Sequence, residues 1–167
     1  FRRVLFRSST QEIAKGTNFT AVNIGGIDKL DKHVFKGPNG DFNGKVFLGG
    51  LVGLTGSEIS FSILPPGKQL PFFHKHNVNE EVYLVIRGKG EYQVDDNVFP
   101  IEEGSIIRVG TGASRCYKNT GTEQLVVICV QTKENKEQIP VMQDCEFPQT
   151  EPRSEERRVG KECRSRW

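Results

Sequence analysis

The chain has 167 residues and a formal net charge of +2, and 35% of its residues are hydrophobic and 26% charged. This is ordinary for one globular domain with enough chain to bury a core, and no apolar run approaches the roughly 18 residues that a membrane-spanning helix needs. Four cysteines without close pairing argue against both a disulfide scaffold and a cysteine-based zinc module.

The two ends of the chain have the features of translated sequencing-library adapters. The letters LFRS at residues 5–8 can be encoded by a DNA string whose reverse complement encodes RSEE, the letters at residues 153–156. The first residue is not methionine, and the only methionine is Met142. We therefore expect residues 1–8 and 153–167 to be artefacts that do not belong to the fold.

The body of the chain has the pattern of short strands separated by turn signals. Pro65-Pro66-Gly67 ends one strand, because proline donates no hydrogen bond to a sheet, and Asp95-Asp96-Asn97 predicts a hairpin. One turn of helix is expected at 27–34 and an edge strand at 139–147. β-branched and aromatic residues predict strands at 19–24, 45–48, 58–64, 81–86, 91–94, 98–101, 105–109, 115–118 and 124–131.

Short strands at regular spacing predict an all-β fold, either a sandwich or a barrel. We interpret residues 45–131 as a single barrel, with strands that flank the barrel at 9–44. Residues 132–152 are expected to form a C-terminal extension, because the chain becomes polar there.

The charge of the body argues against a nucleic-acid partner. Residues 1–8 and 153–167 hold 9 of the 23 basic residues but only 3 of the 21 acidic ones, so residues 9–152 carry a net charge of −4. Outside the arginine-rich tail there is no basic stripe with interleaved aromatic residues. We therefore expect neither a nucleic-acid nor a membrane partner. The odd number of cysteines in the body, without a secretory signal, favours a cytoplasmic location.

Three side chains form a candidate metal site. On a strand, residues two apart project to the same face, so His74 and His76 present their imidazoles together. Glu81 follows five residues after His76 and can return on the neighbouring strand to add a carboxylate oxygen. Two imidazoles and a carboxylate suit Fe(II), Mn(II), Ni(II) or Zn(II). The alternative is a pair of surface histidines beside a carboxylate.

The spacing of these residues resembles the two motifs of the cupin superfamily. The first motif matches Pro66, Gly67, His74, His76, Glu81 and Gly88. The second matches Gly104, Gly110, Gly112 and Asn119. The resemblance covers about residues 45–131 and is to small, single-domain cupins.

This resemblance implies a double-stranded β-helix, a jelly-roll-like barrel, which commonly pairs as a homodimer. It also implies that His74, His76 and Glu81 are metal ligands. The chain departs from the family pattern at two positions, because Arg115 stands where the usual third histidine would be and Gly110 replaces the proline of the motif. Arginine is always protonated and cannot ligate a metal, so three protein ligands remain.

Two interpretations of Arg115 follow. In the first, a metal is bound, and Arg115 clamps a substrate carboxylate or phosphate beside it. Tyr83 and Tyr117 share strand faces with Glu81 and Arg115, and we expect them to line the same pocket and bind substrate. In the second, Arg115 pairs directly with Glu81, and the site holds no metal.

The leading functional prediction is a divalent-metal-dependent cupin that acts on a small, anionic metabolite by isomerase, lyase or dioxygenase chemistry. The metal would act as a Lewis acid, and no catalytic residue is assigned. The alternative is a non-catalytic cupin with a degenerate, metal-free site, in which Arg115 anchors an anionic ligand. Loss of metal and activity in His76→Ala would distinguish the first function from the second.

Overall fold

A computed structural model describes residues 10–37 and 40–134 of the chain. Its helical elements are a 3-10 helix (Ile27–Lys32) and one turn of α-helix, α1 (Gly49–Val52). The strands are β1 (Gln11–Lys15), β2 (Thr20–Asn23), β3 (Val34–Gly37), β4 (Gly40–Asn43), β5 (Lys45–Phe47), β6 (Ser57–Leu64), β7 (Asn79–Arg87), β8 (Lys89–Val94), β9 (Asn97–Glu102), β10 (Ile106–Val109), β11 (Arg115–Asn119) and β12 (Leu125–Lys133).

Most strands belong to two antiparallel sheets. The larger sheet has the strand order β10-β7-β12-β6-β5 and the smaller has β11-β8-β9, while β1-β2 and β3-β4 are separate hairpins. The predicted all-β class is therefore confirmed. The predicted barrel is not closed by continuous ladders within the described residues. The connection from β6 to β7 runs beside β11 and pairs with it at two isolated bridges, Gln69 with Lys118 and His74 with Arg115, and not as a continuous strand.

The two main sheets pack against each other over an apolar core. Buried residues of the larger sheet, such as Val85 and Val127, belong to the same cluster as Tyr92 and Ile101 of the smaller sheet. Because side chains alternate between the faces of a strand, each strand contributes every second residue to this interior. The interior between the two sheets is where the candidate site lies.

Strand β6 has two buried faces of different chemistry. Phe61 and Ile63 pack with Leu30 of the 3-10 helix in a second apolar cluster. The opposite face carries Ser60 and Ser62, which are 3% and 4% exposed. The polar face of β6 therefore points into the interior between the sheets, and its apolar face packs beneath the N-terminal segment.

Two predicted turns are present. The hairpin between β8 and β9 has a two-residue loop, since Val94 pairs with Asn97, and Asp95 adopts a φ of 49°. Gly88 joins β7 to β8 with a φ of 84°, and a Cβ atom there would lie 2.6 Å from the Gln124 carbonyl oxygen. Both the conformation and the close approach require glycine at position 88.

The N-terminal part differs from the prediction. The helical turn expected at 27–34 is present as the 3-10 helix, but β1, the β3-β4 hairpin and α1 were not predicted. The expected artefacts at 1–8 and 153–167, the edge strand at 139–147 and the C-terminal extension beyond residue 134 lie outside the described residues. Among residues 10–37 and 40–134, no helix has the length and apolar character needed to cross a membrane.

Candidate metal centre

His74 and His76 lie on the extended segment that follows β6. The backbone of His74 exchanges hydrogen bonds of 2.9 and 3.2 Å with that of Arg115 on β11. The Gly112 N–H donates to the His76 carbonyl oxygen at 2.8 Å. These bonds hold the segment extended, and the two imidazole centroids lie 5.6 Å apart at the same cavity, as the two-residue spacing predicts.

Glu81 reaches these histidines from the opposite sheet. It lies on β7, between Gln131 of β12 and Val109 of β10. The sequence led us to expect Glu81 on a strand adjacent to the histidines, and it does not lie on one. His76 Nε2 is 3.1 Å from Glu81 Oε1, and His74 Nε2 is 3.8 Å from Oε2. One ligand atom from each of the three residues lies within 4.8 Å of the others, so the group can hold a metal ion.

Arg115 and Tyr83 hold the Glu81 carboxylate through one oxygen. Arg115 donates to Oε2 from Nε, at 2.9 Å, and from Nη2, and the Tyr83 hydroxyl donates to the same oxygen. Arg115 Nη1 donates to the Ala113 carbonyl oxygen at 3.0 Å, and Arg115 has no exposed surface. Three donors therefore occupy Oε2, and Oε1 is the oxygen that faces His76.

The charge states of the site suit metal binding. Burial alone would raise the pKa of Glu81, but contacts with His74, Tyr83 and Arg115 outweigh burial and hold this pKa well below its usual range. Burial is the main reason that the pKa of His76 is lowered. An ionised carboxylate and a neutral imidazole are the forms that ligate a metal.

The second nitrogens of the two rings have different surroundings. His76 Nδ1 lies 3.3 Å from the side-chain amide of Gln131. The atom nearest to the ring is the amide nitrogen of Gln131. With the amide turned by about 180°, its oxygen would accept a hydrogen bond from Nδ1–H and leave the Nε2 lone pair for a metal. His74 Nδ1 is buried and has no hydrogen-bond partner among the described residues, while its Nε2 lies 3.8 Å from Glu81 Oε2. A buried ring nitrogen without a hydrogen-bond partner fits a metal ligand.

A cavity of about 240 Å³ is lined by the three candidate ligands. Its other polar side chains are Lys45, Glu58, Ser60 and Gln131. The rest of the wall is apolar and mostly aromatic: Phe35, Phe42, Phe47, Leu70 and Phe72. This combination of a polar centre and an aromatic wall is typical of a small-molecule site.

Three residues that were expected to line this cavity are absent from its lining: Arg115, Tyr83 and Tyr117. Tyr83 is 3% exposed and contacts Glu81. Tyr117 stacks on Tyr92, with ring planes 6° apart, and borders a separate cavity of about 270 Å³ that holds none of the candidate ligands. Their roles in substrate binding stay predictions, while Arg115 and Tyr83 act on the site through Glu81.

Lys45, Glu58 and Gln131 line the cavity but were not predicted as site residues. The strand register puts Glu58, Gln131 and Glu81 in one row across β6, β12 and β7. Lys45 lies opposite Ser62, on the same face of the sheet. The sequence contains one pattern that could have indicated a polar cavity wall on β6. Polar residues alternate with apolar ones from 58 to 62, on a strand with both faces buried.

The fold and the site define a small all-β protein with a candidate two-histidine, one-carboxylate metal centre between its sheets. A family model described as "Cupin domain" matches residues 60–131, which include all three candidate ligands. A cupin protein from Bacteroides fragilis has a similar structure, with a TM-score of 0.58 and 28% sequence identity, covering 62% of this chain and 88% of that one. Residues 60–131 of the chain therefore match the cupin domain.

Two curated relatives match part of the chain. An uncharacterized protein from Methanocaldococcus jannaschii is 28% identical over 72 residues, which are 43% of this chain and 57% of that protein. An oxalate-binding protein from Thermotoga maritima is 31% identical over 67 residues, which are 40% of this chain and 54% of that protein. The match therefore spans little more than half the length of each relative.

Proposed function

We propose that this cupin binds one divalent first-row metal ion through His74, His76 and Glu81 and acts on a small anionic metabolite in the adjoining cavity. The observation that carries the proposal is the convergence of three ligand atoms within 4.8 Å in the wall of that cavity. Two nitrogens and one oxygen suit Mn(II), Fe(II), Ni(II) and Zn(II), and three protein ligands leave coordination positions open for a substrate.

The surrounding residues position these ligands. Arg115 and Tyr83 fix Oε2 of Glu81, so that the carboxylate presents Oε1 towards His76. Gln131 orients the ring of His76. The bound metal supplies Lewis acidity, which polarises a carbonyl or enol oxygen. The aromatic wall keeps water from the bound substrate, and the reaction is of the isomerase, lyase or dioxygenase type.

The charges support an anionic ligand. Arg115 already neutralises Glu81, so the positive charge of a divalent ion at this site is not cancelled by its own ligands. Opposite charges attract strongly in a site that excludes water, which favours a substrate with a carboxylate or a similar group. The Thermotoga relative is named for binding oxalate, a small dianion, and this name points to the same ligand class.

The second candidate function is metal-free binding of an anionic ligand. The observation that favours it is the Arg115–Glu81 pair, which places a cation on the carboxylate without any metal. The cavity would then bind its ligand without chemistry. This function does not depend on His74 or His76 as ligands.

Calorimetric titration separates the two functions. The full chain, without a polyhistidine tag, is stripped with a chelator and titrated with oxalate, acetate and phosphate before and after loading with each of the four metals. The metal-dependent function predicts binding that is at least about tenfold tighter in the loaded protein. His76→Ala should abolish this gain, and Lys75→Ala, at the exposed residue between the histidines, should retain it. Equal affinity with and without metal would favour the second function.

Two further proposals concern the setting of the protein. We propose a homodimer, and the exposed Ile106, Val98 and Phe73, which are 70%, 57% and 52% exposed, are available apolar contacts. Light scattering during size-exclusion chromatography measures its mass directly. The cytoplasmic location stays a prediction from cysteine usage, and Cys116 and Cys129 are free thiols in the structure.

A further inference from the structure

Lys45 enters the cavity from β5, some distance along the sheet from the metal ligands. It lies opposite Ser62, and Phe47 lies opposite Ser60, which places both on the face that carries Glu58. Counting along β6, the Lys45 row is four residues from the Glu58 row. At about 3.4 Å per residue the two backbone rows are about 14 Å apart. Lys45 and the three candidate ligands line the same cavity, so one ligand can contact both ends of it.

The ammonium group of Lys45 has donors to spare. Its Nζ donates to Ser62 Oγ at 3.0 Å and lies 5.1 Å from the centroid of the Phe47 ring. Within the described residues, no carboxylate oxygen lies within 4.0 Å of Nζ. An ammonium carries three N–H donors, so two of them are left for a ligand.

The nearby acidic residues have other partners. Glu81 is bonded to Arg115. Glu58 accepts the Gly49 N–H of α1 at 2.7 Å, and a Cβ atom at Gly49 would lie 2.3 Å from Glu58 Oε2, so glycine lets this carboxylate dock against the helix. Burial lowers the pKa of Lys45, although the charges of Cys129, Glu81 and Glu58 act in the opposite direction. A half-buried amine without an ion pair costs stability, which a bound anion would offset.

The remaining wall of the cavity is aromatic. Phe35 packs on Phe47 with a centroid distance of 4.8 Å, and Phe42 packs on Phe72 at 5.2 Å. Phe72 in turn lies 5.9 Å from the His74 ring. A cavity of about 150 Å³ holds a benzene molecule, so the space of about 240 Å³ accommodates an apolar body of that size together with a charged group.

We infer that Lys45 binds a carboxylate of the ligand, and that this carboxylate is attached to an apolar, ring-sized body. The inference rests on the proposed function in that it assigns the ligand class of the same cavity. Lys45 contacts the carboxylate of the ligand, and the phenylalanines cover the apolar body. The opposite end of the ligand is polar and faces His74, His76 and Glu81. Arg115 keeps its position behind Glu81 and does not contact the ligand.

The test uses benzoate and its neutral isostere benzamide as probes in calorimetric titrations of the full chain. Lys45→Met should weaken benzoate binding at least about tenfold and change benzamide binding by less than about threefold. Lys45→Gln keeps a donor towards Ser62 and should behave like Lys45→Met. Lys75→Met, at an exposed lysine, should leave both affinities unchanged. Thermal melts confirm that each variant is folded.

Each outcome bears on the inference. No benzoate binding by the wild type, or equal losses for both probes in Lys45→Met and Lys45→Gln, would overturn it. Metal titrations of the same variants separate it from the proposed function. If Lys45 governs benzoate binding in protein that binds no metal, the inference stands and the metal-dependent function fails. If the histidines bind metal but benzoate does not respond to Lys45, the inference alone fails.

Discussion

Removal of one partner of the Arg115–Glu81 pair is expected to destabilise the metal-free protein by about 3–5 kcal/mol. The two side chains are 0% and 6% exposed, so the remaining partner would keep its charge in the interior. With Arg115 Nε at 2.9 Å from Glu81 Oε2, Coulomb attraction at an effective dielectric constant of about 20 is about 6 kcal/mol. Desolvation of both groups offsets part of this gain.

A double-mutant cycle measures the coupling. Urea unfolding is followed for the wild type, Arg115→Met, Glu81→Gln and the double variant. The double variant should lose at least about 2 kcal/mol less than the two single losses added together. Saturating Zn(II) should restore part of the loss in Arg115→Met, because a divalent cation compensates the carboxylate, and less in Glu81→Gln. A coupling below about 0.5 kcal/mol, the range of independent sites, would refute the assigned contact.

Two further substitutions test neighbouring residues. Gln131→Leu is expected to weaken metal binding about tenfold, because His76 loses its orienting partner, and an unchanged affinity in calorimetric titration would contradict that role. Lys45→Met is expected to raise the free energy of unfolding at pH 7, since a lowered pKa in the folded state means that the charged amine costs stability, by about 1.4 kcal/mol for each pKa unit. The difference in free energy of unfolding between Lys45→Met and the wild type is largest below the folded-state pKa of Lys45, and it shrinks as pH rises towards 10.5. A difference that widens with pH would contradict this prediction.

The strands of the central region were predictable because their residues are locally consistent. The alternation in β6 and the β-branched run in β12 favour strands, and Pro65-Pro66-Gly67 marks the turn between β6 and the histidine segment. The β3-β4 hairpin has no such pattern. Its strands contain glycine, lysine, aspartate and asparagine, and they pair through contacts such as Phe35 opposite Phe42.

The candidate ligands were predictable, whereas their surroundings were not. His74 and His76 follow from the period of two in extended chain, but the register across β6, β12 and β7 decides that Gln131 lies beside Glu81. Lys45 was missed because alternation does not tell which face of a strand points inward when both faces are buried. The contact of Arg115 with Glu81 was one of two interpretations of the sequence, and the structure contains it. No local pattern decides between the two, because the contact depends on how closely the two sheets approach.

The metal content of the protein shows whether His74, His76 and Glu81 form a metal centre. The full chain, purified without a polyhistidine tag, is equilibrated with equal amounts of Mn(II), Fe(II), Ni(II) and Zn(II), separated from free metal and measured by inductively coupled plasma mass spectrometry. We expect close to one bound metal ion per chain, lost in the His74→Ala/His76→Ala variant and retained in Lys75→Ala. A wild type that binds no metal, or a double-histidine variant that retains it, would contradict the proposed centre.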